Sequence, residues 1–168
     1  MLRALAVIGA VGGCAFVGLN ASARLRRRRD TLLELIGAVR HILVGVAHSN
    51  RPLSQLLWAC GEGETGPAFR ALAQAVEAGE APLDAWDRLC LKGEHPLPAL
   101  MERETKVMTI FFSLLGGSDR QGQIENAQMT INALESHCAE AEASYAAKGK
   151  VYRAMGVVLG VGVGILLM

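Results

Sequence analysis

The sequence predicts an all-α membrane protein: a cytoplasmic antiparallel helical bundle of about six helices, flanked by an N-terminal and a C-terminal transmembrane helix. Three observations carry that expectation. Both ends of the chain are apolar and free of charge over long stretches. Basic residues cluster just inside each of those ends. Between them, apolar positions recur at helical spacing, with no strand-like alternation.

The first anchor is read at residues 1–23. From Ala4 to Ala23 the chain carries no charge. Twenty residues at about 1.5 Å each span roughly 30 Å, one hydrocarbon core. A cleaved signal peptide is the rival reading, because Arg3 precedes the apolar run and Ala21-Ser22-Ala23 fits a small-x-small cleavage site. Arg24, Arg26, Arg27, Arg28 and Arg29 argue against cleavage. Positive charge beside a hydrophobic segment favours the cytoplasmic side, so residue 24 is expected inside and the N-terminus outside. The second anchor is read at residues 154–168, where Ala154 to Met168 is again uncharged. Fifteen residues give only about 22 Å of helix, so Lys148, Lys150 and Arg153 are expected to snorkel to the interface. Both termini are then expected outside and residues 24–153 in the cytoplasm.

Small residues recur on one face of each anchor. Gly156, Gly160 and Gly164 are four apart, and Ala6, Gly9 and Gly13 share a face in the first anchor. Such spacing lets helices approach closely in lipid. It fits packing of the two anchors within one chain, and it fits homo-oligomerisation or contact with another membrane subunit.

The segment between the anchors reads as helices punctuated by proline and glycine. Leu32, Leu35, Ile36, Val39, Ile42, Leu43 and Val46 form a stripe on a helix continuous with the first anchor. Pro52 opens a short helix from Leu53 to Cys60. Gly61 to Gly66 is a loop, and Pro67 starts a helix to about Ala78. Pro82 starts another, with Leu83, Trp86 and Leu89 on one side. After a loop from Lys92, Leu97 or Pro98 is expected to begin a helix through Met101, Val107, Ile110, Phe111 and Leu114, closed by Gly116-Gly117. Ser118 or Asp119 caps the last helix. Along it Ile124, Ala127, Ile131, Leu134, Cys138, Ala141 and Tyr145 alternate three and four apart, a coiled-coil-like seam.

Charge divides the chain further. Residues 30–147 hold all 16 acidic side chains against 8 basic ones, so the body is acidic between two basic collars. The arginine run beside the first anchor is read as a topology and anionic-lipid signal rather than a nucleic-acid site. No phosphate-binding glycine loop, HExxH, GxSxG or CxxC is present. Cys14, Cys60, Cys90 and Cys138 lie far apart, and His41, His48, His95 and His137 form no metal-ligand spacing. No enzymatic activity, cofactor or metal is expected.

Several segments together make the chain similar to the stage III sporulation protein AB family. They are the opening Met1-Leu2-Arg3 with Gly9 and Gly18, the basic run Leu25 to Arg29, Arg51-Pro52-Leu53, and Ala85-Trp86. Leu115-Gly116-Gly117-Ser118-Asp119-Arg120-Gln121-Gly122-Gln123 and the ending Leu159-Gly160 through Leu166-Leu167-Met168 complete the set. The resemblance implies a sporulation role in the mother-cell membrane around the forespore. It further implies kinship with inner-membrane platform proteins of type II secretion and type IV pilus systems. Partners implied are the other stage III sporulation A proteins, above all the ATPase, protein AA. One departure is Gly45-Val46, where relatives usually carry an acidic–apolar pair. A long final helix lifts its start roughly 45 Å from the bilayer over about 30 residues. Asp119, Arg120 and Gln123 are therefore the expected ATPase-docking residues, with Asp119 also able to act as a simple cap.

Overall fold

The computed structural model describes residues 2–49, 51–93, 95, 97, 99–115, 117 and 119–166; for 2–19, 149–150, 152–153, 156–157 and 159–166 it gives the helical backbone alone. The described residues form six α-helices and one π-helical turn, with no strand among them. Helix α1 runs unbroken from Leu2 to His48. No proline interrupts it, and the helix predicted over residues 30–46 does continue from the first apolar segment. Helix α2 (Leu53–Ala59) follows Pro52, whose extended backbone turns the chain. Helix α3 (Gly66–Glu77) carries Pro67 in its first turn, where the missing N–H costs nothing. Helix α4 (Pro82–Trp86) starts on its own proline.

Two local features depart from the sequence reading. Past Trp86 the helix widens into a π turn, Asp87–Leu91, closed by the Lys92 N–H donating to the Asp87 carbonyl at 2.9 Å. Helix α5 (Glu102–Leu114) begins later than Leu97 or Pro98. Ala99 takes a left-handed conformation, φ 60°, which no helix accommodates. The start is then fixed at Met101, whose N–H donates to the Glu104 carboxylate at 2.7 Å, half of a capping box. Helix α6 runs from Arg120 to Leu166. Asp119 caps it by accepting the Gly122 N–H at 2.9 Å, as its sequence position predicts.

The chain divides into two compact units. One joins Met1–Arg29 with Ala139–Met168; the other is Asp30–Cys138. The first and last stretches of the predicted 24–153 segment therefore group with the chain ends. Within the first unit Ser22, Arg28 and Ala141 are buried, and the Arg29 guanidinium lies 5.8 Å from the Tyr145 ring centre.

The second unit holds the main core. Trp86 stacks on Phe112 with centroids 4.9 Å apart, and Phe111 meets Phe112 edge-on at 5.3 Å. The Trp86 indole N–H donates to Thr109 Oγ1 at 3.0 Å, so its burial leaves no polar group orphaned. Helix α1 supplies Leu32, Leu35, Ile36, Val39 and Ile42 to the interior, and α6 supplies Ala127, Ile131, Leu134 and Cys138. Of the seam predicted on α6, Ala127, Ile131, Leu134, Cys138 and Ala141 are buried, while Ile124 and Tyr145 are half-buried. Polar ties join elements distant in sequence: Arg40 on α1 pairs with Glu135 on α6. Asn126 Nδ2 on α6 donates to the Phe111 carbonyl of α5 at 3.0 Å. Arg88 grips Glu80 in a fork, Nε to Oε1 at 3.1 Å and Nη2 to Oε2 at 2.7 Å, and holds its carboxyl below the usual range.

The loop before α3 is built around one carboxylate. Glu34 of α1 accepts the Thr65 N–H and hydroxyl, each at 2.8 Å, and the Glu64 N–H at 3.2 Å. Gly63, at φ 76°, passes so close that a Cβ there would lie 2.7 Å from the Glu34 carboxyl carbon. Arg70 reaches back to donate to the Gly61 carbonyl. On the other side of α2, Gly45 lets α1 lie directly against Leu56; any side chain there would displace it.

Among the described residues one stretch, Asn20–His48, is long and apolar enough to cross a membrane, with mean hydropathy 1.4. Its aliphatic residues Leu32, Leu35, Ile36, Val39 and Ile42 are, however, those buried in the second unit's core. A core helix passes the same length and composition test. The anchors predicted at 1–23 and 154–168 lie largely where only the backbone is described. The packing expected at Gly9, Gly13, Gly156, Gly160 and Gly164 lies outside the described residues.

Candidate interaction surface

The turn from α5 to α6 gathers the chain's most distinctive loop residues. Gly117 precedes Asp119, and Gly116 and Ser118 lie outside the described residues. Asp119 is exposed but engaged as a cap. Arg120 is exposed at the first position of α6, and Gln123, half-buried one turn on, donates its N–H to the Asp119 carbonyl at 3.0 Å. The structure therefore groups the three predicted docking residues on one helical turn.

Of the predicted collar residues, Arg24, Arg26, Arg27 and Lys148 are exposed, while Arg28 is buried and Arg29 half-buried against Tyr145. Two of the five arginines are thus enclosed at least in part by protein. Lys150 and Arg153 have side chains outside the described residues.

Beside the α5–α6 turn lies a surface the sequence reading missed. Val107, Ile110 and Leu114 of α5 face Gly122, Glu125, Asn126, Met129, Thr130 and Ala133 of α6 across a groove of about 320 Å³. Ile110 is 57% exposed, Leu114 46% and Met129 71%. Of the apolar residues read along this helix, Met101, Ile110 and Leu114 face outward. The core side of α5 is Met108, Phe111 and Phe112, with Leu115 just beyond the helix. A signal for this was present: α5 carries two apolar stripes, 107-110-114 and 108-111-112-115, more than one neighbour can cover. Which stripe is covered depends on distant elements, so spacing alone could not choose.

Chemically reactive groups are tied up or dispersed. Among the described residues no three His, Cys, Asp or Glu side chains are grouped to hold a metal ion. Glu102 pairs with Lys106 at 2.8 Å, which holds its carboxyl below the usual range. Burial pushes the Cys60 thiol up to about 11 and the Cys90 thiol up to about 12, so both stay protonated and unreactive near neutrality. Cys60 Sγ also donates to the Leu56 carbonyl at 3.3 Å. Cys138 is buried in the α6 seam.

Comparison with known proteins bears on the role of this arrangement. The family model described as stage III sporulation protein AB matches residues 3–168. A solved structure titled stage III sporulation protein AB is similar to the chain with a TM-score of 0.65 and 20% identity, covering 71% of this chain and 97% of that one. At that identity the likeness establishes the shared helical fold. No curated protein matches the chain.

Proposed function

Because this chain belongs to the stage III sporulation protein AB family, we propose that it is a non-enzymatic platform subunit of a secretion-like complex between mother cell and forespore. In this reading residues 1–23 and 154–168 span the mother-cell membrane around the forespore, with both termini outside. Residues 24–153 form an antiparallel cytoplasmic bundle that docks an ATPase, the stage III sporulation protein AA, and contacts the complex's other subunits. The basic collars lie at the lipid headgroups on the cytoplasmic side.

The observation that carries this reading is the pairing of the chain ends. Met1–Arg29 and Ala139–Met168 form one compact unit, distinct from the bundle of residues 30–138. Two apolar ends held together suit a common membrane attachment and leave the bundle for partners. The exposed Asp119–Arg120 turn supplies polar contacts of the kind found on an interface rim.

The test is co-purification of the ATPase with the full chain from detergent. Arg120→Glu is expected to preserve helicity and membrane insertion while weakening ATPase binding about tenfold, a change of 1.4 kcal/mol. Unchanged binding at moderate salt, where a surface charge is still felt, removes this turn as the docking site.

A further inference from the structure

The α5–α6 groove is open, apolar and lined by one carboxylate. Its α6 wall from Gly122 to Ala133 extends roughly 16 Å, about three helical turns. Asn126 and Thr130 are buried along it, and the Asn126 amide is already bonded to the Phe111 carbonyl. Ile110 and Leu114, one turn apart on α5, and Met129 on α6 expose apolar side chains along the groove, the kind of surface that receives the apolar face of an amphipathic helix. Methionine suits such a surface, since its flexible thioether adapts to an incoming side chain. Glu125 is exposed and accepts Gln121 Nε2 at 2.9 Å; no basic side chain pairs with it among the described residues.

We propose that this groove receives an amphipathic helix from a partner protein, with aliphatic side chains at i, i+4 and i+7 and a lysine or arginine placed against Glu125. The inference deepens the platform reading and rests on it for the existence of a cytoplasmic partner. Charge selects the occupant. Residues 30–138 carry 14 acidic against 8 basic side chains. A second copy would bring another Glu125 and another acidic bundle to the groove, whereas a basic helix complements both.

The probe is a labelled synthetic helix of about five turns, with leucines at i, i+4 and i+7 flanked by lysines; a twin carries glutamates in place of the lysines. Fluorescence anisotropy measures its binding to the full chain in nanodiscs of neutral lipid. The lysine peptide is expected to bind, and Met129→Glu and Glu125→Lys are each expected to weaken it about tenfold. Both positions are exposed, and circular dichroism checks that the variants remain helical. Glu125→Lys is also expected to reverse the preference between the twins. Equal binding to empty nanodiscs, or indifference to both variants, overturns the proposal. So does a concentration-dependent oligomer of the chain that Met129→Glu dissociates, since a second copy would then occupy the groove. The two readings separate cleanly. An ATPase that fails to bind while the peptide binds defeats the platform reading alone. An ATPase sensitive to Arg120→Glu, with a peptide that ignores the groove variants, defeats the groove alone.

Discussion

Glu34 organises a loop that begins nearly thirty residues further along the chain, and its removal tests how that loop is held. Its carboxylate receives three donors, two of them from Thr65, which is 2% exposed. It also sits at the N-terminus of α3, where negative charge is favoured by about 0.3–1 kcal/mol. A hydrogen bond to a charged group contributes about 1.5–3 kcal/mol, and a buried donor left without a partner costs about 1–3 kcal/mol. These overlap, because both describe the same Thr65 groups, and the Glu64 donor can turn to water. Glu34→Ala is therefore expected to destabilise the bundle by about 2–4 kcal/mol. Glu34→Gln keeps one acceptor and is expected to cost about half as much; Thr65→Val, which retains the N–H bond, about 1 kcal/mol. Urea unfolding of the full chain in detergent gives the ranking, and amide exchange at Thr65 localises it. A Glu34→Ala variant within about 0.5 kcal/mol of the parent, the range of ordinary surface changes, would falsify this account of the loop.

Gly66→Ala is expected to cost about 1–3 kcal/mol by overpacking, because its Cβ would meet the Gly61 carbonyl oxygen at 2.5 Å and carbon at 2.8 Å, backbone atoms that cannot rotate away; thermal unfolding checks it. Phe112→Ala is expected to cost about 3–5 kcal/mol, since it empties the stack on Trp86, and a parent-like melting temperature would contradict the core described here. The raised thiols predict alkaline lability. Unfolded thiols ionise near 9.0, whereas folded Cys60 and Cys90 hold their protons to about 11 and about 12. Stability is thus full below pH 9 and declines through that window; Cys90→Ala should flatten the decline, measured by urea midpoints across pH. For topology, impermeant thiol labelling of whole cells needs a reachable reporter, because Cys90 and Cys138 are buried and Cys60 is protonated. Ala78→Cys, at an exposed helix end, should stay unlabelled in intact cells and react after lysis; labelling in intact cells would place the bundle outside.

What the sequence made legible follows from how locally each feature is encoded. Pro52, Pro67 and Pro82 mark three helix starts because proline acts on its own backbone and its immediate neighbours. The α6 seam is legible because one long uninterrupted helix displays many periods. The α5 start was misplaced because Pro98 looks like an N-terminal signal, while the deciding events are the left-handed Ala99 and the Glu104 cap. The π turn at Asp87–Leu91 has no proline, glycine or periodic signature to announce it. The outward stripe of α5 and the role of Glu34 depend on partners that only the folded chain brings near. Among the candidate site residues, the capping role of Asp119 was legible from its position, and the burial of Arg28 within a basic run was not.

Tryptophan and tyrosine divide between the two units. Both tryptophans, Trp58 and Trp86, belong to residues 30–138, and both tyrosines, Tyr145 and Tyr152, to the unit holding the chain ends. Excitation at the red edge, where tyrosine does not absorb, therefore reports on residues 30–138 alone. Trp86, sealed against Phe112, should emit at short wavelength until the bundle opens, whereas the more exposed Trp58, hydrogen-bonded to Glu77, should respond to solutes from outside. The protein thus carries its own optical gauge of bundle integrity, readable without a label.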